Sequence, residues 1–104
     1  MSITLTKLDD TTQEIHLGKN FDFESHKIFK EHIQEVMSQS VKRLNLNFAD
    51  IEYLDSSALG MLMLAKHEGD AKECAVILTN VKEGHARKVI ELVKFDQIFN
   101  IEYV

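Results

Sequence analysis

The sequence of 104 residues contains no proline, no tryptophan, four glycines and one cysteine. Average usage would place about five prolines in a chain of this length. No Pro-, Gly- or Ser-rich stretch marks a linker, and neither a low-complexity tract nor an internal repeat interrupts the pattern. Cys74 has no partner within the chain, which excludes an internal disulfide and fits a reducing compartment, the cytoplasm. No run approaches the roughly 18 apolar residues of a membrane span, so no direct membrane insertion is expected. From Met1 to Asp10 no basic segment leads into an apolar block, which argues against a signal peptide. Positive charge is also scarce: 12 Lys and Arg stand against 17 Asp and Glu, for a net charge of −5. That balance disfavours nucleic acid as a partner, because phosphate backbones are normally met by a basic face.

The residues present describe an ordinary globular chain, 44% apolar and 28% charged. A chain of this size buries about two thirds of its unfolded surface. One core is therefore within reach, and a single domain over residues 1–104 is expected. Ile3, Leu5 and Lys7 alternate with Thr4, Thr6 and Leu8, a short strand. The polar cluster Asp9-Asp10-Thr11-Thr12 turns the chain into a second alternating run, Glu14-Ile15-His16-Leu17, which stops at Gly18; together these form a hairpin. From Phe23 the period lengthens. Phe29, Ile33, Val36 and Met37 make the apolar stripe of an amphipathic helix that Asp22 or Ser25 caps and that ends near Gln39 or Ser40.

Leu44, Leu46 and Phe48 alternate with Asn45 and Asn47, a third strand with one heavily covered face. A connector from Asp50 to Leu54 leads to Asp55-Ser56-Ser57 and then to the run Ala58 to Ala65. This run holds no β-branched residue and favours a mostly buried helix, with Met61, Leu62 and Met63 in the core and Gly69 as the C-terminal cap. An exposed edge of this Met-rich helix would serve as a docking ridge. Cys74 to Leu78 is a continuous apolar run, as in a buried parallel strand. A helix from about His85 to Val93 and a last apolar segment, Ile98 to Tyr103, strand or helix turn, complete the chain. The expected fold class is α/β: a sandwich with a mixed, mostly parallel sheet and an N-terminal β-hairpin, in the order β-β-α-β-α-β-α-β.

Few groupings carry chemistry. His16, His26, His32, His67 and His85 include no pair at i+3 or i+4 with another His or Cys, so no metal site is expected. Neither GxGxxG nor GxxxxGK[ST] occurs, which leaves no nucleotide cradle of the usual kind and no expected cofactor. The strand-to-helix turn Leu54-Asp55-Ser56-Ser57-Ala58 has serines but lacks the flanking glycines of a nucleophile elbow, and an acidic neighbour opposes an oxyanion. Hydrolase chemistry, and enzymatic activity generally, are not expected.

Two readings of Asp55-Ser56-Ser57 remain. Asp and Ser are the preferred N-caps, so three of them before an apolar helix need no function beyond capping. The same geometry also suits phosphorylation. A serine at a helix N-terminus is exposed, and its phosphate gains hydrogen bonds from free amides and a favourable helix dipole while adding about −1.5 to −2 charges. Asp55 makes such a patch strongly acidic, so a partner docking there would meet repulsion.

Four pieces of the sequence stand together: Gly18 followed by Phe21-Asp22-Phe23, the strand Leu44 to Phe48 with Ala49-Asp50-Ile51, Leu54-Asp55-Ser56-Ser57-Ala58-Leu59-Gly60, and Asn80 through Val89, Leu92 and Phe95 to Ile98-Phe99. With them the chain resembles, from Ile3 to Tyr103, the STAS domain, and within it the bacterial anti-sigma factor antagonists. The third piece is the most specific and is similar to the family's phosphorylation loop. The resemblance implies a binding protein whose unphosphorylated form engages an anti-sigma factor that is itself a serine kinase of the GHKL type and thereby releases the sigma factor. Phosphorylation ends the interaction, and a PP2C-type phosphatase restores it.

By the same resemblance the phosphoacceptor is Ser56. Asp55 orients the loop, Ser57 is a neighbouring cap or minor acceptor, and Asp22 is an acidic position that joins the partner-binding surface with Leu54 and Ala58. Two departures stand out. Ala58 replaces the usual Gly, which changes how closely a kinase approaches the backbone, and the stretch Gly18 to Asp22 is one residue longer than the common Gly-x-Leu-Asp. The output is left open by the resemblance: a sigma factor, biofilm or surface-polysaccharide control, or an accessory role in a lipid ABC transporter. A monomer is expected, with dimerisation left open.

Overall fold

The computed structural model describes residues 3–104. Met1 and Ser2, part of the expected 1–104 domain and of the stretch read as carrying no signal peptide, lie outside the described residues. Strands β1 (Thr4–Lys7) and β2 (Thr12–His16) form the expected antiparallel hairpin. Its turn is closed by Leu8 and Asp9 amides donating to Thr12 O, and by the Thr11 amide donating to Asp9 Oδ1 at 2.9 Å. Helix α1 (His26–Met37), β4 (Arg43–Asn47), α2 (Ser56–Ala71), β6 (Ala75–Val81), α3 (His85–Leu92) and β7 (Asn100–Tyr103) follow in the predicted order. Two two-residue strands, β3 (Asn20–Phe21) and β5 (Tyr53–Leu54), and two 3-10 turns, Phe23–Ser25 and Phe95–Gln97, complete the described residues.

The main sheet has five strands in the order β1-β2-β4-β6-β7, and every pair after the hairpin is parallel. The parallel strands advance in one direction, so crossovers of a single hand carry the three helices over one face. The register places Gln13, Leu44 and Val76 on that face in one row, and Ile15, Leu46 and Leu78 in the next. These six are buried, and the apolar five pack with Phe29, Ile33 and Val36 of α1 and Met61, Leu62 and Ala65 of α2 in one cluster. Each large aliphatic side chain so buried contributes roughly 1.5–3 kcal/mol. The opposite face carries Glu14, His16, Asn45 and Asn47, all half-buried, as the strict alternation predicted. Asn47 ties it together: its Nδ2 donates to Glu14 Oε2 at 3.2 Å, and its Oδ1 accepts from Asn80 Nδ2 at 3.1 Å.

Three local expectations are corrected. The first helix begins at His26 after Ser25, one of its two expected caps, and ends at Met37 rather than near Gln39 or Ser40; Asp22, the other expected cap, instead caps a separate 3-10 turn over Phe23–Ser25 in a reciprocal capping box with Ser25. Gly69 does not end α2; it lies inside the helix where α2 crosses the start of β6. A Cβ there would sit 2.6 Å from Val76 Cγ2 and 2.7 Å from Cys74 O, so only glycine fits. The chain turns instead at Glu73, whose φ of 57° is left-handed. Met63 is 39% exposed while Met61 and Leu62 are buried, because Ser56, Gly60, Met63 and His67 recur at helical spacing on the outward side of α2.

Candidate functional site

β3 and β5, each too short for a periodic signal, pair in parallel with Asn20 opposite Tyr53 and Phe21 opposite Leu54. Phe21 and Leu54 are buried and anchor this pair in the core. Glu52 and Tyr53 amides extend it by donating to Lys19 O at 2.8 and 3.1 Å. The next residue on each strand is an aspartate, Asp22 on one and Asp55 on the other, and each opens a helical turn. The small sheet thus brings two distant parts of the chain, and two helix starts, side by side.

Asp55 is the hinge of the arrangement. Its backbone is extended (φ −111°, ψ −176°), as an N-cap requires. Its Oδ1 accepts the Ala58 amide at 3.0 Å and closes the first turn of α2. Its Oδ2 accepts the Phe23 amide at 3.2 Å, across 32 residues of sequence. With both oxygens held by backbone amides, Asp55 orients the loop and is not placed as a base. Asp22 repeats the pattern on a smaller scale: its Oδ1 accepts the Glu24 amide at 3.1 Å, and Ser25 Oγ donates to Asn20 O at 3.3 Å.

Ser56 is the first residue of α2 and is exposed; Ser57 behind it is half-buried. Leu54 and Ala58, named with them from the sequence, are 3% and 0% exposed. They seat the loop in the core and offer nothing to a partner's surface. Ala58 in particular is wholly buried in the first turn of α2. Asp22 and Asp55 are half-buried. Among the described residues the ion pairs join His16–Asp50, Arg43–Glu102, Lys66–Asp70 and Arg87–Glu91, so neither Asp22 nor Asp55 is neutralised by one of them. The loop's carboxylates stand beside an exposed hydroxyl at a helix N-terminus.

Two features escape sequence reasoning. His85, at the start of α3, places Nε2 3.3 Å from Leu54 O and stacks on the Tyr53 ring at 5.4 Å and 11°, so a third helix braces β5. Phe23 is 70% exposed next to the Asp55 contact. Its signal was present, a lone aromatic between Asp22 and Glu24 outside the apolar stripe of α1. No group of three or more His, Cys, Asp or Glu side chains suited to a metal occurs among the described residues. No helix among them is long and apolar enough to cross a membrane.

Comparison with known proteins agrees with this geometry. A STAS-domain containing protein of Pseudomonas aeruginosa strain UCBPP-PA14 is 31% identical over 102 residues, which cover 97% of this chain and 99% of that one. The solved structure of the anti-sigma factor antagonist SpoIIAA in its unphosphorylated form superposes with a TM-score of 0.84 at 20% identity, covering 99% of this chain and 88% of the other. An anti-sigma factor antagonist from Mycobacterium paratuberculosis gives 0.78 at 20% identity, over 97% and 86%. Both superpositions place the mixed sheet and three helices in the fold of those antagonists. With the sequence pattern of the STAS domain matched over residues 3–103, the chain belongs to the STAS domain family.

Proposed function

We propose that this protein is a cytoplasmic regulatory binding protein switched by phosphorylation of Ser56. In its unphosphorylated form it binds a GHKL-type serine kinase that acts as an anti-sigma factor; the kinase transfers the γ-phosphoryl group of ATP to Ser56 Oγ, with loss of the hydroxyl proton and release of ADP. A PP2C-type phosphatase removes the phosphate and restores binding. The observation that carries the reading is the exposure of Ser56 at the first position of α2, beside Asp55. A phosphate there adds about −1.5 to −2 charges. The amides of the first turn and the helix dipole favour it, so the fold tolerates the modification. The phosphate would stand beside the half-buried carboxylates of Asp22 and Asp55, so a partner docking there must desolvate it and cover a strongly acidic patch. SpoIIAA, an anti-sigma factor antagonist of this fold solved in its unphosphorylated form, supports the same reading.

Incubation with the cognate kinase and labelled ATP tests it. Phosphate should appear on Ser56, and Ser56→Ala should remain unlabelled. Equal labelling of Ser56→Ala and wild type contradicts the assignment.

A further inference from the structure

Five of the six phenylalanines, Phe21, Phe29, Phe48, Phe95 and Phe99, are 8% exposed or less; Phe23 is 70% exposed. It is also held in place. Its amide is fixed by Asp55 Oδ2 at 3.2 Å, its turn is capped by Asp22, and its ring lies against His26 with centroids 6.5 Å apart. A fixed exposed aromatic presents apolar area with little ordering cost on binding.

Gly60 is a second, independent oddity. It lies in the interior of α2, one helical turn from Ser56 on the same outward side, and a Cβ there would meet nothing within 4 Å. Glycine is a poor choice for an open helix interior. In contrast to Gly69 no neighbour within the chain requires it, and its φ is not in the left-handed range. What glycine supplies at this position is a stretch of bare helix backbone facing outward.

We propose that the serine kinase grips the unmodified chain at two points flanking Ser56: Phe23, inserted into an apolar pocket, and Gly60, against which the kinase backbone packs closely. This footprint rests on the switch reading above and specifies its interface. Asp22, Glu24 and Asp55 surround the Phe23 amide and turn, so the matching pocket is apolar with a Lys- or Arg-rich rim. Phosphate on Ser56 then opposes binding by its bulk and by the cost of desolvating its charge, which together outweigh its attraction to that rim.

The test is calorimetric titration of the kinase that phosphorylates Ser56, loaded with a non-hydrolysable ATP analogue, into wild type, Phe23→Ala, Gly60→Ala, Ser56→Asp and Leu92→Ala. Leu92, 80% exposed at the far end of α3, is the control for loss of an exposed apolar side chain. Phe23→Ala and Gly60→Ala should each raise Kd about tenfold or more, as expected for central anchors, and Leu92→Ala should leave it unchanged. Melting curves separate binding from folding: Phe23→Ala should melt as wild type does, and Gly60→Ala should melt higher while binding more weakly. If Phe23→Ala or Gly60→Ala binds as tightly as wild type while Ser56→Asp does not bind, the footprint is wrong and the switch stands. If Ser56→Asp binds as tightly as wild type, the switch reading itself is wrong and the footprint falls with it.

Discussion

Asp55 and Phe23 are joined by a hydrogen bond of 3.2 Å from the Phe23 amide to Asp55 Oδ2, and the other oxygen of the same carboxylate caps α2 through Ala58 at 3.0 Å. One side chain therefore sets the start of the helix that carries Ser56 and the position of the turn beside it. The β3–β5 pair makes this reach available, because Phe21 opposite Leu54 leaves the two loops in register.

Removing that carboxylate should cost stability. Loss of an N-cap of this type destabilises by about 0.5–2 kcal/mol, and the lost Phe23 contact adds to it. Asp55→Ala should lower the urea midpoint accordingly. Asp55→Asn should cost less, since its single amide oxygen still satisfies one of the two backbone donors. Unfolding curves superimposable on wild type for both variants would contradict the double role.

The two glycines within α2 should respond with opposite signs. Gly69→Ala forces a methyl to within 2.6 Å of Val76 Cγ2 and 2.7 Å of Cys74 O. Overpacking of this kind costs about 1–3 kcal/mol. Gly60→Ala meets nothing within 4 Å. It should stabilise by about 0.5–1 kcal/mol, the ordinary advantage of alanine in a helix. Denaturation midpoints of the two variants measured side by side check both signs.

Cys74 should be inert in the native protein. It is 3% exposed, and burial raises its thiol above the ordinary value of 9.0. Iodoacetamide at neutral pH should therefore label the folded chain far more slowly than the urea-unfolded chain. Because the folded thiol ionises less readily than the unfolded one, its contribution to stability is full below pH 9.0 and is lost as pH rises through the raised folded value. Cys74→Ala should flatten that alkaline part of the stability profile.

The main sheet and helices were legible because their signals are local and repeated. Leu44-Asn45-Leu46-Asn47 alternates with the pleat, and Phe29, Ile33, Val36 and Met37 mark the buried stripe of α1. The start of α2 was legible for the same reason, since Asp55 and its serines are local capping chemistry. What stayed hidden depends on contacts distant in sequence. Two-residue strands such as β3 and β5 have no period to read. Gly69 carries the same local signal as a helix end, and only the approach of Val76 and Cys74 O shows that it is a crossing point. The second oxygen of Asp55 finds its partner 32 residues away, which no local rule anticipates. Met63 differs from Met61 only by its position around the helix, which a run apolar on nearly every side does not reveal.

The switch stands or falls on the affinity of the cognate kinase for the chain before and after stoichiometric phosphorylation, with the modified residue mapped by mass spectrometry. A single phosphate should appear on Ser56, with a loss of affinity of about a hundredfold or more, equivalent to about 2.7 kcal/mol. Ser56→Asp should reproduce the loss, and Ser56→Ala should keep full affinity in the presence of ATP. A phosphate mapped elsewhere, or equal affinity for both forms, would contradict the switch.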